Sequence, residues 1–139
     1  MEQDFHQKLD ERMPTLLERV ERNLLEAICA DSAQSEDHCL LAVRHHLTSG
    51  GGRVRARVCL DAAARLGLPE ADAIVLATVC ELLHNASLIH DDLIDRSATR
   101  RGAGTVWLLF GKTTAICAGD LLLASAYACL LYTSDAADE

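Results

Sequence analysis

The sequence has few residues that break helices and few that build sheets. Its 139 residues include two prolines, one tryptophan, two tyrosines and two phenylalanines. Sandwiches and barrels need many turns and many β-branched or aromatic residues, so this poverty argues against them. No Cys-x-x-Cys pair occurs among the cysteines at positions 29, 39, 59, 80, 117 and 129, which excludes the common zinc and dithiol-redox spacings. Buried, reduced thiols in a reducing, cytoplasmic setting are expected instead. Basic residues are also scarce, 13 against 21 acidic, for a formal net charge of −8. General nucleic-acid binding needs a net basic footprint and is not expected. The most apolar stretches, 73–83 and 121–131, fall short of a membrane span, so no transmembrane segment is expected. The polar start, Met1 to Asp4, does not read as a signal peptide. What the chain does have is 50% hydrophobic and 24% charged residues. That is enough apolar surface for a packed core in one domain, or in part of a larger one.

Alanine and leucine dominate, and the apolar spacing is helical. Residues 14–30 read as an amphipathic helix, with Pro14 suited to a first helical position. A break follows at Asp31–Ser35. A second helix is predicted over 36–48, ended by Gly50, Gly51 and Gly52. A third covers 54–66 and closes at Gly67. The longest spans about 70–96 behind Pro69, and is apolar on nearly every side in its first half, as a buried helix would be. Residues 97–106 read as a loop, and a last helix starts near Lys112 and runs at least to Tyr127. No strand alternation is visible, so the fold class is all-α, a helical bundle.

The chemistry is concentrated between His84 and Gly102. Asp91 and Asp95 lie one turn apart on a helix, and Asp92 is about 100° round from Asp91. Three carboxylates so close repel one another and call for a cation. With only oxygen donors, hard Mg²⁺ is favoured over zinc. Arg100 and Arg101 follow, and arginine's planar fork suits phosphate oxygens. Arg53, Arg55 and Arg57 form another local basic cluster. Basic patches in an acidic chain point to a specific small anion, and carboxylates with paired arginines point to a diphosphate.

The pattern Asp91-Asp92-x-x-Asp95 followed by Arg100-Arg101-Gly102 resembles the first aspartate-rich motif of trans-type isoprenyl diphosphate synthases, the polyprenyl synthetase family. The flanks agree, with Ser87 to His90 before it and Phe110-Gly111 and Ala118-Gly119-Asp120 after it. Gly50 to Arg55 resembles that family's Gly-Gly-Lys-x-x-Arg region. The resemblance runs over roughly residues 35–128. It implies a bundle of the isoprenoid synthase type. It also implies a prenyltransferase that condenses an allylic diphosphate with isopentenyl diphosphate, and a homodimer at full length. By the same resemblance Asp91, Asp92 and Asp95 are the catalytic ligands of Mg²⁺ that bridges to the allylic diphosphate. Arg100 would contact that diphosphate, and Arg101, Arg55 and His84 the isopentenyl diphosphate, with Arg53 a further candidate substrate contact. The small residues Ala86 and Ser87, one turn before Asp91, imply a product longer than farnesyl.

The sequence departs from the family pattern in places. Gly52 stands at the lysine position, where a one-residue shift would let Arg53 serve, Ala56 stands where a proline is usual, and Trp107 follows the arginine loop in place of a polar residue. The family's second aspartate-rich motif lies on a later helix than this chain reaches. Residues 1–128 are therefore expected to be the N-terminal part of a longer enzyme, inactive alone. Residues 129–139 resemble an in-frame translated sequencing adapter and are expected to be a non-native tail. Two other readings compete. His90-Asp91 resembles the paired His-Asp of helical metal phosphohydrolases, with His45, His46 and His84 upstream. A prenyltransferase-like subunit without catalysis would also tolerate the change at Gly52.

Overall fold

The structure is a computed structural model and describes residues 2–29 and 37–135. Among these residues it is a helical bundle: α1 (Glu2–Cys29), α2 (His38–Thr48), α3 (Val54–Arg65), α4 (Glu70–Ile94), α5 (Val106–Phe110) and α6 (Lys112–Asp135). A two-stranded ribbon, β1 (Thr99–Arg100) and β2 (Ala103–Gly104), lies between α4 and α5. The expected break at Asp31–Ser35 and the last four tail residues lie outside the described residues. Helix α6 continues through Cys129 to Asp135 rather than stopping at the change in composition.

Helix α1 begins a dozen residues before Pro14, which is therefore inside the helix and not at its first turn. The apolar stripe explains this. Leu9 and Met13 continue the buried spacing of Leu16, Val20 and Leu24 upstream, and Pro14 sits on the exposed side. Tertiary packing thus outweighs the lost backbone bond at proline. Helix α2 starts at Asp37, whose side chain accepts from the backbone N–H of Cys39 (2.7 Å) and Leu40 (3.3 Å), the usual N-cap geometry. Helix α3 ends at Gly67, where φ is +72°.

Helix α4 is the central rod. It packs most extensively on α6 and also on α3 and α1, burying Ile74, Ala77, Leu82, Ala86 and Ile89. Arg12 and Arg19 of α1 both donate to Glu70 and hold its first turn. Helix α6 faces α4 with small residues: Ala115, Ala118 and Ala126 are buried, with Leu122 among them. At Gly119 even a methyl group would lie 2.1 Å from His90 Nε2. The two helices meet closely there because glycine has no side chain. Helices α4 and α6 are each long and apolar enough to cross a membrane, which corrects the expectation drawn from their shorter apolar cores. In this fold more than half of the apolar window of α4 is buried inside the bundle, as in a core helix.

The segment expected to be a loop over 97–106 contains the ribbon. Its turn is Arg101-Gly102, both with positive φ (+52° and +79°), which matches the twist of a tight hairpin. Strands of two residues are too short to show alternation in sequence. Thr105 Oγ1 and the Trp107 indole N–H both donate to the Ser97 carbonyl at 2.7 Å, and His45 Nε2 donates to the Gly104 carbonyl at 2.8 Å. The ribbon is thereby fixed to the end of α4 and to α2. The unexpected Trp107 serves as one of these ties.

Candidate functional site

The C-terminal end of α4 carries the three aspartates. Asp91 and Asp95 are exposed, and Asp95 caps the helix, its N–H bonded to the Asp91 carbonyl at 2.8 Å. Asp92 behaves differently. It is buried and accepts a two-pronged bond from Arg100, Nε to Oδ2 and Nη2 to Oδ1, both 2.8 Å. The Asp92 carboxylate holds the Arg100 guanidinium above its ordinary pKa. The three aspartates are therefore not equivalent ligands. The fold turns one toward its own arginine and leaves Asp91 and Asp95 open. Among the described residues no three His, Cys, Asp or Glu side chains converge closely enough to hold a metal ion. Two exposed carboxylates one turn apart nevertheless fit Mg²⁺, which takes one or two carboxylates and fills its octahedron with water and phosphate oxygens.

The Gly50–Gly52 turn approaches from the side of α2 and α3. Arg101 Nη1 donates to the Gly50 carbonyl, and a Cβ built on Gly51 would sit 2.8 Å from the Arg101 guanidinium carbon. Glycine at 51 therefore makes room for Arg101. Burial, then the nearby Arg53 and Arg100, lower the Arg101 pKa, the mark of cations held together. His84 lies in the same field. Its pKa is lowered by burial, and then by the charge of Arg55, with smaller effects of Arg101 and Arg100. Arg55, His84, Arg100 and Arg101 are thus brought to one positive region beside the aspartates.

Arg53 is not part of that region's surface. Expected as a substrate contact, it is buried instead. It donates to both oxygens of Glu21, to the Leu47 carbonyl at 3.0 Å, and lies 3.7 Å from Glu81 Oε2. The reason is backbone geometry: Arg53 sits just before α3 with φ +46°, which turns its side chain inward beneath the turn. Glu81 also accepts from the Ala56 N–H at 3.0 Å, and Asn85 donates to the Glu81 carbonyl and accepts from His46 Nε2 at 3.0 Å. Glu21, Glu81 and Asn85 were not foreseen, and His46 was considered only as a histidine of the phosphohydrolase reading. The available signal was an acid and an amide one turn apart in the most apolar helix, which have to be paired if buried.

Ala86 is fully buried and Ser87 is exposed, so of the two proposed chain-length residues only Ser87 faces open space. The histidines do not converge as a phosphohydrolase would need. His45 bonds to Gly104, His46 to Asn85, and His90 turns toward the Ile116 carbonyl (3.2 Å) and Asp120 (3.7 Å) on α6.

Exposed aspartates thus stand at the end of a central helix, with arginines on an adjoining ribbon beside a glycine turn. Residues 36–138 match the family model described as Polyprenyl synthetase, so the chain belongs to that family. It is 46% identical over 98 residues to a geranylgeranyl pyrophosphate synthase of Geoglobus acetivorans, covering 70% of this chain and 30% of the relative. It is 38% identical over 96 residues to a short chain isoprenyl diphosphate synthase of Methanothermobacter thermautotrophicus, covering 69% and 30%. The crystal structure of a geranylgeranyl pyrophosphate synthetase from Pyrococcus horikoshii superposes with a TM-score of 0.78 at 34% identity, over 91% of this chain and 38% of that one. The chain spans about a third of the length of the relatives it matches.

Proposed function

We propose that this chain forms the first half of the active site of a prenyltransferase that condenses an allylic diphosphate with isopentenyl diphosphate. One observation carries the reading. Asp92 locks Arg100 beside the open carboxylates of Asp91 and Asp95, while Arg101 lies over the Gly50–Gly51 turn. In the reaction the allylic carbon–oxygen bond breaks and diphosphate leaves. The allylic carbon then bonds to the double-bond carbon of isopentenyl diphosphate, and a proton is lost. Asp91 and Asp95 would hold Mg²⁺, which supplies positive charge to the leaving oxygens. Arg100, kept in place by Asp92, orients the allylic diphosphate. Arg55, Arg101 and His84 hold the second diphosphate. Apolar residues around α4 exclude water from the cation. Ser87, small and exposed, leaves room for a product longer than farnesyl. A homodimer at full length and a cytoplasmic setting accompany the reading.

Calorimetric titration of the chain with inorganic diphosphate, with and without Mg²⁺, tests the metal site. Asp91→Asn combined with Asp95→Asn is expected to weaken the Mg²⁺-dependent binding by about tenfold or more, the loss of roughly 1.4 kcal/mol. Diphosphate affinity that is unaffected by Mg²⁺ and by the double substitution removes the metal site. Binding of a prenyl diphosphate with no discrimination from inorganic phosphate would favour a non-catalytic subunit.

A further inference from the structure

The end of α4 and the ribbon share a node at the Ser97 carbonyl. That oxygen accepts two short bonds, from Thr105 Oγ1 and from Trp107 Nε1, both 2.7 Å. On one side of the node, the Ser97 N–H donates to the Asp92 carbonyl at 2.9 Å. On the other, the chain runs through Ala98 and Thr99 to Arg100, which returns to the Asp92 carboxylate with both prongs at 2.8 Å. Asp92 is thus held by its backbone to Ser97 and by its side chain to Arg100. The segment between is costly to keep in shape. Arg96 and Arg101 have φ of +54° and +52°, left-handed values that residues other than glycine keep only where their surroundings hold them.

The two donors at the node differ in origin. Thr105 directly follows the ribbon and its N–H bonds to the Ala98 carbonyl at 3.1 Å, so its bonds close the ribbon on itself. Trp107 belongs to α5, which packs on α2, α4 and α6, and its ring rests partly buried against the core beside buried Val106. The indole N–H therefore ties the node to the body of the bundle, as His45 does for the far strand at Gly104. We infer that Trp107 is a positioning residue of the diphosphate site: its indole N–H, through the Ser97 carbonyl, sets the register in which Arg100 meets Asp92 and Arg101 lies over the glycine turn. This rests on the proposed function for the identity of the ligand, whereas the placement of Arg100 does not. A tryptophan needed for packing alone would use its ring and not its N–H. Without that donor the strained segment from Arg96 to Arg101 can relax, and the two-pronged bond, which needs guanidinium and carboxylate in one plane, is lost first.

The test replaces Trp107 with benzothienylalanine, which keeps the shape of the ring and puts sulfur where the N–H was, with Trp107→Phe as a simpler companion. The first readout needs no ligand. The Arg100 Nε–H proton, bonded to Asp92, should give a protected signal in heteronuclear NMR spectra of the native chain. In the benzothienyl variant it should exchange about three- to tenfold faster, the change that one lost neutral hydrogen bond allows. The second readout is calorimetric titration with inorganic diphosphate and Mg²⁺, where affinity should fall by about the same three- to tenfold factor. Leu108→Ala, at an exposed neighbour on α5, should leave both readouts unchanged. Unaltered Arg100 exchange in the benzothienyl variant overturns the inference, and so does faster exchange with unaltered affinity in a chain that binds diphosphate. A native chain that binds no diphosphate removes the proposed function instead, and the exchange measurement still decides whether Trp107 positions Arg100.

Discussion

Arg53-Val54-Arg55 and Arg100-Arg101 look alike as sequence, each a close pair of cations beside a glycine turn. The fold splits both pairs in the same way. Arg53 turns inward to Glu21 and Glu81, and Arg100 turns to Asp92, while Arg55 and Arg101 remain exposed. In each segment one arginine anchors the backbone that presents the other. The two anchors differ in degree. The side chain of Arg53 is 7% exposed against a 3% exposed Glu81, whereas that of Arg100 is 29% exposed against a 3% exposed Asp92. Arg53 Nη1 also lacks a hydrogen-bond partner, with the Glu81 oxygen only in ion-pair range. In these two segments one arginine of each pair is thus turned to a carboxylate, and that member does its work through position.

The sharpest way to break the comparison is to remove each anchor's carboxylate. Glu81→Ala leaves the Arg53 guanidinium buried beside Glu21 alone and frees the Ala56 N–H. Breaking a buried pair by deleting one partner costs about 3–5 kcal/mol. Urea unfolding should show that loss as a lower midpoint at an unchanged slope. Asp92→Ala strands a partly hydrated Arg100 and should lose less, about 1–3 kcal/mol. Equal losses for the two would mean that the anchors are not graded by burial.

The next effect separates the interior from the site by pH. His46 is buried against Asn85 in the network that reaches Glu81 and Arg53, and burial lowers its pKa from 6.5 to about 4. Between those values the unfolded chain binds a proton that the native chain refuses, so stability rises with pH across this window. Acidification from above about pH 6.5 to about pH 4 should remove about 3 kcal/mol through this group. His46→Gln should flatten that part of the stability–pH curve. A curve unchanged by the substitution would place the acid sensitivity elsewhere.

Much of this division was hidden in the sequence for physical reasons. The helices α2, α3 and α4 were legible to within two residues, because glycines, Pro69 and apolar spacing mark their ends. The start of α1 was not, because Pro14 is a good first-turn residue and only tertiary packing shows that Leu9 and Met13 continue the stripe. The ribbon at Thr99–Gly104 is too short for a period to register. The aspartates and arginines were legible as a set, since charge and spacing select diphosphate chemistry. Their inequality was not, since burial of Asp92 depends on a ribbon that brings Arg100 back eight residues along the chain. Arg53 was misplaced for a related reason. Side-chain direction follows a left-handed backbone angle that residue type alone does not announce.

The smallest stability effect should belong to the outward arginines, and it is the one that bears on function. Arg101 touches only the Gly50 carbonyl among the hydrogen bonds described for its side chain, and it is exposed. Arg101→Ala should therefore change unfolding free energy by no more than about 0.5 kcal/mol, the range of surface substitutions. It should also raise the pKa of His84, whose depression owes part to the Arg101 charge. Proton titration of His84 by NMR reads this directly, and a structural defect elsewhere would leave it in place. If the arginine holds a diphosphate, affinity for inorganic diphosphate should fall about tenfold, since a hydrogen bond to a charged group contributes roughly 1.5–3 kcal/mol. A variant with native stability, a shifted His84 and unaltered affinity would show that Arg101 only braces the glycine turn, and the division into anchor and reader would then hold for Arg55 alone.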